Sequence, residues 1–311
     1  MTLGRLRPTA VVAAAAVAVF LGVGLVGARA YVGNFLRYRG FDPPREPAFV
    51  TQRGTLARVD VPSKALGGRK QEAYVYLPPG YSQHPRRRYS VMYLLHGFPG
   101  RPLAFIETLQ MGIVEDTLTA RGRAQPLILV LPFGSTGTFT DEEWVNGAGA
   151  GSGWASFVAR DLVRYVDAHY RTIRSARGRA IGGLSEGGFG AVNIALHHPD
   201  EFSVVESWSG YMRPDRLHSV FGAHLELLAR NDPPALVRRV APALRSLGTY
   251  FWFYSGSEDR LRTQNALFAA ELGNLGLPHR YRLLYGGHNW ALWRANARVA
   301  YLAASKRLAH G

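Results

Sequence analysis

The sequence predicts an α/β protein in which a mostly parallel central sheet carries helices on both faces, preceded by an N-terminal apolar segment. Two observations carry this. From residue 53 on, short apolar runs bounded by Gly, Pro or polar turns alternate with longer stretches of helical period, and strands interleaved with helices fit a parallel sheet buried on both sides. A serine ringed by glycines, Ser185 in "AIGGLSEGGFGAVNIALHHPD" (180–200), stands where one of these runs turns into a helix-spaced stretch.

The predicted strands begin with 55–61 and 72–77, an antiparallel pair joined through "SKALGGRK". Buried strands follow at 90–95, 127–131, 179–182, 202–208, 250–255 and 280–285. In 154–169 the apolar residues Trp154, Phe157, Val158, Leu162, Tyr165 and Val166 fall on one face of a helix. The stretch 210–248, with "RNDPP" and two arginine-bearing helical pieces, reads as an inserted cap or side helices. Residues 53–311 are therefore taken as one catalytic-size domain.

The N-terminus points to export. Arg5 and Arg7 precede an uncharged run from Pro8 to Ala28, and "ARA" at 28–30 has a small-x-small cleavage pattern. The run is longer than a usual signal core and close to the span of a bilayer. Residues 1–30 are expected to be an uncleaved anchor with its N-terminus inside, or a signal peptide cut near Ala30. The prolines of "FDPPREPAF" suggest that 31–52 is an extended linker.

Composition bounds the chemistry. With 47% hydrophobic residues over 311 positions the chain has ample material for a core. Lys and Arg outnumber Asp and Glu by 37 to 22, but the excess is scattered arginine with no basic, aromatic-interleaved helix, so no nucleic-acid partner is expected. Attraction to an anionic envelope surface fits better. The absence of cysteine removes disulfides, thiolate metal sites and a cysteine nucleophile together. No metal-ligand cluster stands out, and neither a metal nor a cofactor is expected. The sequence sets no oligomeric state.

In a parallel sheet the loops at the carboxyl ends of the strands converge on one crevice. Ser185 lies there, after the short strand "RAIGG" and before a helix, the context that makes G-x-S-x-G a nucleophile elbow. A serine hydroxyl needs a base, normally an imidazole oriented by a carboxylate. His288 in "YGGHNWALW" follows the last strand, where Gly286 and Gly287 allow close approach. His197 and His198 sit at the far end of the helix after the serine, and His96 in "LLHGFPG" reads as a loop-shaping residue. The acid belongs between serine and histidine in chain order, and "SGSEDR" supplies Glu258 and Asp259. Oxyanion donors are expected from the backbone N–H groups of Glu186 and of Phe98.

Taken together and in this order, "YVYLPPGYS", "RRYSVMYLLHGFPG", "GLSEGGFGA", "HHPDEF", "SGSED" and "GGHNWALW" resemble the putative-esterase family of α/β-hydrolases. That family includes feruloyl esterases, S-formylglutathione hydrolases and mycolyltransferases. The resemblance covers about 55–310 and implies the triad Ser185, Asp259 and His288, with Asp259 fourth in G-x-x-D, and the same two oxyanion donors. Substrate contacts are expected from Trp144, Asn146 and Trp154 in and after the glycine-rich loop 141–154. Phe98, Phe133, Trp208, Trp290 and Trp293 are expected to line an acyl pocket. The expected activity is hydrolysis of a small-molecule, lipid or sugar ester outside the cytoplasm. Its rivals are transfer of the acyl group to a sugar or lipid hydroxyl, and a non-catalytic envelope binding protein on the same fold.

Overall fold

In the computed structural model eight strands among the described residues form one sheet in the order β1-β2-β4-β3-β5-β6-β7-β8. The structure describes residues 8–137, 140, 142–213 and 224–311, with side chains from residue 22 on. The strands are β1 (Thr55–Pro62), β2 (Lys70–Leu77), β3 (Ser90–Leu95), β4 (Leu127–Pro132), β5 (Arg179–Leu184), β6 (Val204–Trp208), β7 (Tyr250–Gly256) and β8 (His279–Leu284). β1, β2 and β4 pair antiparallel, and from β4 to β8 every pairing is parallel. All six residues of β3, β4 and β5 are buried, as expected of central strands covered on both faces.

Side chains alternate between the two faces of the sheet. Val91, Tyr93 and Leu95 of β3 join one core with residues of α3 (154–169), α4 (Glu186–His197), α6 (Pro233–Leu247) and α7 (Arg262–Asn274). Met92 and Leu94 join the other, against α2 (Met111–Ala120) and α8 (Trp290–Ser305). The expected helix at 154–169 is present, with a π-helical stretch at Phe157–Leu162. Within the stretch read as a cap or side helices lie α5 (Leu225–Arg230) and α6; residues 214–223 are outside the described residues.

Two compact units are present, Met1–Pro43 and Pro44–Gly311. In the first, a helix, α1, covers Pro8–Tyr38. The extended segment expected from residue 31 is therefore helical as far as Tyr38, because its first proline is Pro43 and nothing in "YVGNFLRY" breaks the period. In the second unit the chain before β1 packs on the domain: Val50 is buried, and the N–H of Gly54 donates to the Asp116 carboxylate at 3.2 Å. Among the described residues no helix is long and apolar enough to cross a membrane. The side chains of residues 1–21, most of the expected anchor or signal, lie outside those described.

Candidate active site

Ser185 occupies the single residue between β5 and α4. Its φ of 54° and ψ of −121° are strained for a residue with a Cβ. From Gly178 to Leu196 every residue is buried except this one. The turn is held by its own backbone: Ser185 N–H donates to the carbonyl of Trp208 at 3.0 Å, and its carbonyl accepts from Gly188 at 2.9 Å. The flanking glycines answer a steric demand. A Cβ on Gly183 would lie 2.4 Å from the Gly187 carbonyl oxygen, and one on Gly187 would lie 2.0 Å from that of Leu95. The turn therefore nests against the end of β3 at distances only hydrogen side chains permit.

Three loops bring the partners in. The imidazole of His288, in the loop after β8, places Nε2 at 2.9 Å from Ser185 Oγ and Nδ1 at 2.9 Å from Asp259 Oδ2. Asp259 follows β7, its side chain fully buried and its Oδ1 accepting from the Leu261 N–H at 2.9 Å. Burial by itself would raise this carboxyl's pKa, but hydrogen bonds from His288 and the Leu261 amide outweigh it and hold it below the ordinary carboxylate value. Its neighbour Glu258 is exposed, while the Glu258 N–H donates to the carbonyl of Gly286 at 3.0 Å. That bond laces the acid loop to the histidine loop. A Cβ on Gly256 would fall 2.1 Å from the same carbonyl oxygen, so the lacing requires a glycine there.

The loop after β3 is fastened through His96. The buried ring accepts from the Gly134 N–H at Nε2, 3.1 Å, which leaves Nδ1 as the protonated nitrogen donating to the carbonyl of Gly97 at 3.0 Å. Trp144 Nε1–H donates to the His96 carbonyl at 2.9 Å. Burial pushes the His96 pKa down to about 4, so the ring stays neutral and keeps both roles. A Cβ on Gly97 would stand 3.0 Å from that of Ser185, which sets the backbone at Gly97 and Phe98 directly beside the serine. On the other side Glu186 opens α4 with its N–H at the helix's positive end.

Of the residues expected to touch substrate, the structure assigns several to the scaffold. Trp144, Trp154 and Trp208 are all at most 1% exposed. Trp144 fills the space left by Gly134 and Gly190, and Trp208 donates its Nε1–H to Glu206 at 2.9 Å. Apolar rings of this size gain more from core burial than a loop residue facing water. Asn146 is exposed, but its amide pins the loop, accepting from the Ser156 N–H and donating to Ser156 Oγ, both at 3.0 Å. Trp290 is half-buried and packs edge-on against Trp293, which in turn packs edge-on against His288 with ring centroids 5.1 Å apart. Phe98 is exposed and Phe133 half-buried against His96. The Leu261 amide was missed, although an Asp two residues before a turn N–H is the signature of an Asx turn.

The sequence matches the family described as "Putative esterase" over residues 63–300. Among known proteins it is 30% identical over 243 residues to an esterase of Mycobacterium tuberculosis, covering 69% of this chain and 51% of that one. It is 29% identical over 193 residues to an endo-1,4-beta-xylanase/feruloyl esterase of Xylanibacter ruminicola, covering 57% of this chain. The chain spans about half the length of the first of these relatives and 25% of the second. Among solved structures a ferulic acid esterase superposes with a TM-score of 0.72 at 26% identity, covering 82% of this chain and 100% of that one.

Proposed function

The chain belongs to the putative esterase family, and from that premise we propose that it is an exported serine hydrolase of carboxylic esters. The observation that carries the reading is the unbroken hydrogen-bonded line from Asp259 through His288 to Ser185, with 2.9 Å at each link. Asp259 fixes the imidazole with its proton on Nδ1, which leaves the Nε2 lone pair aimed at the serine hydroxyl. Ser185 Oγ attacks the ester carbonyl while His288 Nε2 takes its proton. The oxyanion is met by the N–H groups of Phe98 and Glu186. His288 then hands its proton to the departing alcohol, leaving an acyl-Ser185 ester. Water, deprotonated by the same Nε2, releases the acid and restores the serine.

Export rests on the sequence: Arg5 and Arg7 ahead of the uncharged run from Pro8 to Ala28, with a small-x-small pattern ending at Ala30. The domain is held outside the cytoplasm by this segment, or is released by cleavage near Ala30. The test uses the full chain with a panel of aryl, feruloyl and aliphatic esters, followed by analysis of both products. Free acid and alcohol in equal amounts, absent with Ser185→Ala, support the reading. Acyl groups recovered mainly on an added sugar or glycerol would replace hydrolysis by transfer. Turnover retained by Ser185→Ala would end it.

A further inference from the structure

A cationic groove lies at the opposite end of α8 from His288. His288 stands just before the first residue of this 16-residue helix, and Lys306 and Arg307 stand just after its last. At 1.5 Å per residue the helix separates the two by about 24 Å. There a groove of about 380 Å³ opens between the end of the helix and strands β7 and β8. Four cations converge on it: Arg280 and Arg282 from the edge strand, Lys306 and Arg307 from the helix end. Arg280 and Arg282 are two apart and project from one face of β8, beside Trp252 and Tyr254 of β7.

Cations on edge strands and helix C-termini are common, where they discourage strand pairing and answer the helix dipole. What distinguishes this cluster is that four cations share one groove; among the described residues none of the four meets a carboxylate, whereas Arg179 is held by two, Asp167 and Glu201. Glu206, paired with Trp252 on the neighbouring strand, is wholly buried, and burial raises its pKa well above the ordinary carboxylate value, which disfavours its charged form. The groove also has apolar walls. Tyr250, under the Arg307 guanidinium at 4.1 Å, and Trp252 form one side. Val299 and Leu302 of α8, half-buried against the core, form the other.

From this combination of four cations and apolar walls we infer that the groove binds the phosphate headgroup of an anionic lipid, with the first methylenes of the lipid against Val299 and Leu302. The phosphate sits among the guanidinium groups, which suit its planar, bidentate recognition. This site is independent of ester cleavage, and Ser185→Ala protein binds the same ligand.

The test titrates octyl phosphate, which has no carboxylic ester to hydrolyse, into the full chain held in dodecyl maltoside, read by calorimetry. Saturable binding is expected, weakened at least tenfold in Arg280→Ala/Arg282→Ala and in Lys306→Ala/Arg307→Ala. Both double variants should hydrolyse a small aryl ester within about twofold of wild type, which shows that they fold. Single Arg282→Ala and Lys306→Ala proteins give the same comparison should a double variant fail that check. Inorganic phosphate binding as tightly as octyl phosphate would overturn the lipid assignment in favour of free phosphate. Equal binding of octyltrimethylammonium, or undiminished binding by the folded variants, would overturn the site.

Discussion

His288 Nε2 stands 2.9 Å from Ser185 Oγ although the two residues lie 103 positions apart in the chain. The sheet makes that contact possible, because β5 to β8 run parallel and their carboxyl ends point the same way. In the proposed mechanism the serine proton therefore has its acceptor in place. Replacing Ser185 by Ala is expected to lower kcat by about 10⁶-fold while leaving the fold intact, and His288→Ala to do nearly the same, because the two act as a unit. Steady-state turnover of an aryl ester, with circular dichroism as the folding control, reads both.

Ser185 also holds a backbone conformation that a Cβ disfavours, with φ at 54°. Glycine at this position removes the strain together with the hydroxyl. Ser185→Gly is expected to be inactive yet more stable than Ser185→Ala by about 1 kcal/mol, a rise of roughly 2 °C in Tm. Equal melting temperatures for the two variants would mean that the turn is unstrained.

Gly187 carries the opposite expectation. With its would-be Cβ 2.0 Å from the Leu95 carbonyl oxygen, Gly187→Ala must push β3 and the elbow apart. A loss on the order of 3 kcal/mol is expected, with turnover falling well beyond what the loss of folded protein explains. Denaturant unfolding and active-site titration separate the two effects.

For the acid pair, Asp259→Asn is expected to cost about 10⁴-fold in kcat, whereas Glu258→Gln costs less than about tenfold. Asp259 is buried against His288 and Leu261, and Glu258 points to solvent. The reverse ranking would move the acid by one residue.

The elements from β1 to α8 were legible because each announces itself locally, through apolar runs, period and punctuation by glycine and proline. Ser185 and His288 stand out in the sequence for the same reason, each in a glycine-marked turn after a strand. What sequence could not supply was which way large side chains face. Trp144, Trp154 and Trp208 sit in or beside active-site loops by position, yet each turns into the core. A loop tryptophan at the surface and one plugging the space over Gly134 and Gly190 look alike until the glycines' neighbours are known. Likewise the continuation of α1 to Tyr38 was obscured by prolines that begin only at residue 43.

His96 makes stability depend on pH. Its pKa falls from the ordinary 6.5 to about 4 on folding, so above pH 6.5 the ring is neutral in both states and carries no penalty. As pH drops from 6.5 towards 4 the unfolded chain takes a proton that the folded chain refuses, and stability is lost. The loss from this one group is about 3 kcal/mol. Asp116, whose carboxyl burial raises to about 6, works in the other direction over much of the same range, in wild type and variant alike. His96→Gln is therefore expected to be less stable than wild type at pH 7, with the gap between the two urea midpoints narrowing from pH 6.5 towards pH 4.

The most direct measurement is covalent capture of the nucleophile. The full chain is titrated with a fluorophosphonate, and residual turnover, intact mass and the modified peptide are followed together. The expected result is one adduct per chain, on Ser185, with activity falling in proportion to labelling and no adduct on Ser185→Ala or His288→Ala protein. A fully labelled Ser185 in a protein that still turns over, or an adduct on another residue tracking the loss of activity, would contradict the assignment of Ser185 as the residue that attacks the ester.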